Sequence, residues 1–163
     1  MHDWDLPSPH VHRVVATAAD IDGYGHVNNA VYVTWLDQTA WSHSTALGVP
    51  PESCIEGRRG MAVWRTQVNY LAPAFEGDHI EIGTWIVASD SRLRCARRFQ
   101  MRRAGDGGSL LRALIHYVCI DLDSGKPKRM PREFVAGYQP LDVVREALAA
   151  SPASFAPGVE PGT

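Results

Sequence analysis

The sequence predicts an α+β fold, in which one antiparallel sheet of about five strands is wrapped around one long central helix. Three observations lead to this prediction. A strand-like stretch is followed by a long, nearly uncharged helical stretch, and four further strand-like stretches then follow one another. The connections between the later strands carry turn and hairpin residues, which favour antiparallel pairing of consecutive strands. One apolar helix beside one sheet indicates that the sheet wraps the helix.

The composition is that of an ordinary globular protein. The 163 residues, 45% hydrophobic and 21% charged, are enough for one domain with a substantial core. The net charge of −2 gives no overall field that would recruit nucleic acid or a membrane. Three widely spaced cysteines, with no Cys-x-x-Cys pair, argue against a disulfide framework or a zinc knuckle. The acidic start lacks the apolar segment of a signal peptide, and no apolar run is long enough to span a bilayer. We therefore expect a cytoplasmic protein.

The domain is expected to span residues 10–149, between an N-terminal arm at 1–9 and a disordered tail at 150–163. The arm holds two prolines and no periodicity, whereas three prolines and two glycines interrupt the last thirteen residues. Residues 10–19 are rich in β-branched side chains and alternate at their start, which predicts the first strand.

The central helix is predicted at residues 30–47. Asn28 can serve as its N-cap, Gly48 suits the position after its last turn, and two prolines follow at 50 and 51. Asp37 is the only charged residue in this stretch. A helix so poor in charge is expected to be buried on most sides.

The second half of the chain predicts four strands. A loop is expected at residues 50–60, and the strands at 61–71, 80–86, 92–103 and 110–122. Alternation in the first of these places one set of side chains on one side: Ala62, Trp64, Thr66, Val68 and Tyr70. The segment Gly105-Asp106-Gly107-Gly108 is a strong hairpin sequence. Residues 132–149 allow one or two short helical turns.

The junction at residues 20–29 (DIDGYGHVNN) carries the residues suited to chemistry. The carboxylates of Asp20 and Asp22 stand just before a helix N-terminus, where free backbone N–H groups and a partial positive charge can hold an anion. A carboxylate can act there as a nucleophile or as a general base, and the N–H groups can stabilise an oxyanion. Both aspartates could instead be turn formers or caps.

This junction resembles the signature of a known family. The pattern Asp20-x-Asp22-x-x-Gly25-His26-Val27-Asn28-Asn29-x-x-Tyr32 is similar to that of hotdog-fold acyl-CoA thioesterases of the 4-hydroxybenzoyl-CoA thioesterase type. Further segments resemble the family in the right order: Tyr70-Leu71-x-Pro73, Gly77-Asp78-x-Ile80, Gly125-Lys126-Pro127 and Met130-Pro131. The resemblance covers roughly residues 10–138.

The resemblance implies a hotdog fold that joins sheets edge to edge in a homodimer or homotetramer, with the active site at the dimer interface. It implies hydrolysis of an acyl-CoA thioester to a free acid and CoA, with Asp22 as nucleophile or general base and the backbone N–H of Asn29 as the oxyanion site. His26 could shuttle protons, bind substrate or pin the loop. Gly25 and Asn28 are expected to contact substrate, with Asn28 more a cap than a catalyst. Beyond the acyl-CoA substrate, no cofactor, metal, nucleic acid or membrane is implied.

Arginine is concentrated at residues 92–103, and Arg58 and Arg59 precede the second strand. Coenzyme A carries a 3′-phosphate and a diphosphate, so Arg58, Arg59 and Arg97 are candidates for holding it. The alternative, which we favour, is a solvated outer strand face or an edge guarded by charge. If Arg97 faces the core, it must lie at a rim or pair with an acid. Asp37 matches an acidic position in many relatives, and we interpret it as a buried, hydrogen-bonded structural group.

Two other functions compete with acyl-CoA hydrolysis. Acyl-ACP thioesterases share a similar His-Val-Asn-Asn segment, but they are usually built from two hotdog modules and this chain has room for one. A non-catalytic hotdog module that binds acyl-CoA as a sensor typically adds a DNA-binding segment, and none is visible. A hotdog hydratase is disfavoured because its D-x-N-P-x-H type of motif is absent.

Overall fold

The computed structural model describes residues 4–150. Five strands form one antiparallel sheet in the order β1-β3-β4-β5-β2, which confirms the α+β class. The strands are β1 His10–Val15, β2 Arg59–Tyr70, β3 His79–Ser89, β4 Arg94–Arg103 and β5 Ser109–Asp121. The helices are α1 Asn29–Ala46, α2 Pro51–Gly57, α3 Arg132–Gly137 and α4 Asp142–Ala150. Apart from Ala150, which ends α4, the tail predicted to be disordered lies outside the described residues.

The core lies between α1 and the inner face of the sheet. Alternate residues of β3 and β4 point at the helix because successive strand side chains project to opposite faces. Buried side chains from the helix and the strands meet there: Tyr32, Trp35, Leu36, Ala40, Ile80, Ile82, Phe99, Met101 and Leu111. This is the arrangement that the sequence predicted, with the sheet packed around one helix.

Both ends of α1 lie one residue before the ends of the predicted range of 30–47. Asn28 is the N-cap, and its side-chain oxygen accepts the N–H of Ala30 at 2.9 Å. The helix ends at Ala46, and Gly48 follows with a φ of +85°, a conformation that glycine adopts without strain. The expectation of burial on most sides was wrong, because Val33 and Trp41 are about two-fifths exposed (40% and 42%). The helix is therefore nearly uncharged but has an open face.

Two local predictions in the second half of the chain are corrected. The loop expected at residues 50–60 contains the helix α2, which starts at Pro51, a residue preorganised for the first helical position. The strand β2 has a β-bulge between Val63 and Arg65, so Trp64 is an extra residue in the pairing with β5. The bulge reverses the alternation, and side chains before and after it do not share one face.

The N-terminal arm and α4 cover the outer face of the sheet. Leu6 is buried against Trp85 of β3 and Val144 of α4. The indole Nε1–H of Trp85 donates to the Pro7 carbonyl at 2.8 Å, and Asp5 forms a salt bridge with Arg112. The guanidinium of Arg102, on the outward parity of β4, lies 4.1 Å from the centroid of the Trp4 ring. The outer face of this central strand is thus covered around Arg102, where the sequence analysis favoured a solvated face or an edge.

Within residues 4–150, no helix combines the length and the apolar character that crossing a bilayer requires.

Candidate active site

The loop before α1 is a small hairpin that holds residues 20–28 in one geometry. Ile21 and Val27 form an isolated antiparallel bridge, the N–H of Asp22 donates to the His26 carbonyl at 2.8 Å, and the N–H of Asn28 donates to the Asp20 carbonyl at 2.8 Å. Val27 is buried and its N–H donates to the Ala74 carbonyl at 2.9 Å. The hairpin is therefore fixed to the body of the protein at the start of the helix.

The two aspartates of this hairpin have different partners. Asp20 accepts the N–H and the hydroxyl of Thr17 through one oxygen, at 2.8 and 3.1 Å, and so closes a capping box. Asp22 is half-buried, and its Oδ1 accepts the N–H of Tyr24 at 2.9 Å. Among residues 4–150, no donor bonds its second oxygen, Oδ2. The structural reading thus fits Asp20, whereas Asp22 keeps one carboxylate oxygen available.

The first turn of α1 leaves one backbone N–H open. The N–H of Ala30 is capped by the Asn28 side chain, and that of Val31 donates to the Asn28 carbonyl at 2.9 Å. The N–H of Asn29 meets no acceptor within the part of the chain that is described, as expected for the first residue of a helix. The phenol of Tyr70 donates to the Asn29 carbonyl at 2.9 Å, and this hydrogen bond holds the backbone of Asn29 in position.

His26 lies at the tip side of the same hairpin and is exposed. Its ring stands edge-on to that of Phe75, with the centroids 5.2 Å apart. Gly25, next to it, has a φ of +79°, which explains why glycine occupies this turn position. The structure therefore brings together Asp22, Gly25, His26, Asn28 and Asn29.

Tyr70 and Phe75 border the candidate site residues, and neither was predicted as a site residue from the sequence. Both are nearly half exposed beside the loop. The signal that could have found them is the Tyr70-Leu71-x-Pro73 segment, because a motif after a strand end marks a loop with a defined position.

The three candidate phosphate-binding arginines are not part of this group. Arg58 and Arg59 lie at the start of β2, where they pair with Asp123 at 2.7 Å and Asp121 at 3.8 Å. Tyr70 ends the same strand, eleven residues later, so the two ends are about 36 Å apart. Arg97 is 2% exposed on the inner face of β4.

Asp37 differs from its prediction. It is exposed on α1, where a buried and hydrogen-bonded group was expected, and its side chain lines a cavity beneath the open face of the helix. A carboxylate in that position is solvated, so it needs no buried partner.

Within residues 4–150, no group of three or more His, Cys, Asp or Glu side chains is arranged to hold a metal ion. The three cysteines are free and buried, and burial raises the pKa of the Cys95 and Cys119 thiols to about 12 and about 11.

The chain is similar to a known protein family over most of its length. The family described as the thioesterase-like superfamily matches residues 16–147. Among curated proteins, no sequence shows a significant match.

Several solved structures share the fold. A 1,4-dihydroxy-2-naphthoyl-CoA thioesterase from Synechocystis is 20% identical, with a TM-score of 0.73 over 80% of this chain and 96% of its own. A DHNA-CoA thioesterase from Staphylococcus aureus is 22% identical, with a TM-score of 0.71 over 88% of this chain and 90% of its own. A gentisyl-coenzyme A thioesterase is 18% identical, with a TM-score of 0.68 over 79% of this chain and 98% of its own. The fold is therefore the hotdog fold, and these neighbours do not single out the 4-hydroxybenzoyl-CoA type.

Proposed function

Because the chain belongs to the thioesterase-like superfamily, we propose that it hydrolyses acyl-CoA thioesters to a free acid and CoA. Asp22 is the nucleophile or the general base, and the backbone N–H of Asn29 is an oxyanion donor. The observation that carries the proposal is the open N–H of Asn29, directly after the hairpin that carries Asp22, together with a carboxylate oxygen of Asp22 that has no donor among residues 4–150. Thioester hydrolysis requires both a basic oxygen and a donor for the developing oxyanion.

The surrounding contacts support these roles. Asx-type bonding from the Tyr24 N–H holds Oδ1 of Asp22, so Oδ2 keeps a fixed direction. The partial positive charge of the α1 N-terminus favours negative charge at the carbonyl oxygen. The exposure of His26 and its ring contact with Phe75 support a role in binding substrate or in moving a proton.

The variant Asp22→Asn tests the proposal. The asparagine oxygen can still accept the Tyr24 N–H, so the hairpin should keep its shape. We expect turnover to fall by about 10²- to 10⁴-fold, because a basic oxygen is lost. The measurement is thiol release from a panel of aliphatic and aromatic acyl-CoAs, with aromatic members included because the three neighbours described above are named for aromatic acyl groups.

Asp20→Asn is the matched control. Asp20 lies two residues away in the same hairpin, and its carboxylate already bonds Thr17. This variant should keep most of the activity. Unchanged hydrolysis by Asp22→Asn, or an equal loss in both variants, would reject Asp22 as the reacting group.

The edge position of β2 supports a homodimer with a shared site. Two copies of this edge can pair about a two-fold axis. If the axis lies near Trp64, Arg59 of one protomer stands opposite Tyr70 of the other. The distance of about 36 Å between these two residues within one protomer then no longer separates the arginines from the candidate site. Arg58 and Arg59 could then reach the phosphates of a CoA whose thioester lies at Asp22 of the other copy.

A further inference from the structure

Arg97 is a buried cation without an acid. It lies on the inner face of β4 with 2% of its surface exposed, and it forms no salt bridge with any residue between 4 and 150. An arginine that faces the core was expected to lie at a rim or to pair with an acid. Arg97 does neither within residues 4–150. Burying an uncompensated charge is unfavourable, so an anionic ligand that paired with Arg97 would stabilise the folded protein.

Every group bonded to this guanidinium is neutral. Its Nη1 lies 2.7 Å from Nδ1 of His43, and its Nη2 donates to the Ser44 hydroxyl at 2.6 Å. A guanidinium only donates hydrogen bonds, so Nδ1 of His43 must be the acceptor and this imidazole is uncharged. The rings of Tyr117 and Tyr138 lie 5.7 and 5.4 Å from the guanidinium carbon. None of these partners cancels the charge.

The end of α1 supplies a partial compensation. His43 and Ser44 belong to the last turns of the helix, where the backbone carbonyls carry partial negative charge. Such an interaction is weaker than the desolvation cost of a buried charge. A purely structural role for Arg97 is therefore the competing explanation. It predicts that a small carboxylate does not bind beside the guanidinium.

A cavity of about 140 Å³ adjoins the guanidinium. Its inner wall is formed by Arg97, Cys95, Tyr117 and Tyr138, and its rim by exposed Trp41 and Val63. Among the residues that the structure describes, the exposed carboxylate of Asp37 is the one acidic group that lines it. An engineered apolar cavity of about 150 Å³ holds one benzene molecule, so this space fits a single ring or a short chain.

From the buried cation and the adjoining cavity, we propose that this space is a binding site for a small organic carboxylate, whose anionic group pairs with Arg97 and whose apolar part lies between Trp41, Val63 and Tyr117. The planar guanidinium suits a carboxylate because it can donate two parallel hydrogen bonds. The carboxylate can belong to a free organic acid or to the acyl group of a thioester. The site is separate from Asp22 within one protomer, since it lies under the second half of α1.

Benzoate is the probe for binding. We expect it to raise the thermal unfolding temperature of the wild-type protein in a concentration-dependent way, and calorimetric titration should give one site per chain. Benzamide, with the same ring and no charge, should bind at least about tenfold more weakly. Equal binding of benzamide or of phenol, or no binding of benzoate, would overturn the proposal.

Arg97→Met separates binding from structure. Methionine keeps much of the side-chain volume and removes the buried charge together with its desolvation cost. We expect Arg97→Met to stay folded and to lose benzoate binding, while Arg94→Met, on the exposed start of the same strand, keeps it. Undiminished benzoate binding to a folded Arg97→Met protein would contradict the proposal. Should that variant not fold, Arg97→Lys, which keeps the charge but cannot donate two parallel hydrogen bonds, should weaken benzoate binding by at least about tenfold, and unchanged binding would contradict the proposal.

A second arm distinguishes the two sources of the carboxylate, and this arm rests on the proposed function. We compare kcat/KM for the CoA half-thioester of a dicarboxylic acid with that for its methyl ester. If the acyl group fills the site, Arg97→Met should lower this ratio by about tenfold or more. If the ratio is unchanged but benzoate binding is lost, the ligand is a free acid. Absence of all hydrolysis would reject the proposed function and leave the binding result standing.

Discussion

At the scale of single residues, His43 links the buried arginine to the pH dependence of folding. Burial, the charge of Arg97 on β4 and the stacked ring of His10 on β1 lower the pKa of His43 to about 3. In the unfolded chain the same imidazole has a pKa of about 6.5. The folded protein thus binds fewer protons at this residue between those values, and its free energy of unfolding falls as the pH drops from 6.5 toward 3.

We predict that His43→Gln removes this dependence. Glutamine can still accept a hydrogen bond from Arg97 but cannot take up a proton. Between pH 6 and pH 4 the wild-type protein should lose up to about 1.4 kcal/mol per pH unit more than the variant. Urea unfolding at a series of pH values measures the difference. His79→Gln, at an exposed position on β3, should keep the wild-type slope, and parallel curves for wild type and His43→Gln would contradict the assignment.

The residues of the candidate site differ in how far the sequence could predict them. Asp22, His26 and Asn29 are consecutive in one loop, so a local motif indicates their proximity. The separate roles of Asp20 and Asp22 depend on Thr17 and Tyr24, whose hydrogen bonds a spacing pattern does not contain. The surroundings of Arg97 come from three elements far apart in the chain, and no local pattern brings them together.

At the scale of elements, prediction succeeded where one physical signal dominated. The ends of α1 follow from Asn28 and Gly48, and the β4–β5 connection follows from its glycines. The bulge at Trp64 was missed because alternation continues through the sequence while the register with β5 shifts by one residue. Helix α2 was missed because it has only seven residues, starts with the second of two consecutive prolines and ends with a glycine.

The N-terminal arm is the element whose contribution is easiest to test. Leu6 has 1% of its surface exposed and fills the contact between β3 and α4. We predict that Leu6→Ala lowers the free energy of unfolding by about 2 kcal/mol or more, because a buried leucine loses its packing and leaves a cavity.

Leu141→Ala is the control for Leu6→Ala. Leu141 lies just before α4 with 53% of its surface exposed, and its truncation should change stability by less than about 0.5 kcal/mol. Urea unfolding followed by circular dichroism measures both variants. Equal stability of Leu6→Ala and wild type would show that the arm adds nothing to the folded state.

At the scale of the whole molecule, the distribution of exposed apolar side chains is uneven. Strand β2 lies at one edge of the sheet, and the open face of α1 carries Val33 and Trp41. Val63, Trp64 and Tyr70 of β2 are also about half exposed. Long unpaired edges and apolar patches of this kind are typical of surfaces that join another chain. A second copy of this chain is the partner that the proposed shared site requires.

We predict that Val33→Lys weakens a homodimer. The lysine lies one turn from Asp37 and can pair with it, so the helix itself should not be destabilised, but burying the new charge in an interface is costly. Sedimentation velocity should show wild-type protein at twice the chain mass of 17.9 kDa and the variant shifted toward the single-chain mass. Val143→Lys, on α4 with a similar exposure of 45%, is the control and should leave the mass unchanged. Because the proposed site lies between copies, thiol release per chain should fall with dilution, and more steeply for Val33→Lys. A wild-type protein that sediments as a single chain at all concentrations and still hydrolyses acyl-CoA would contradict the shared site while leaving Asp22 as the reacting group.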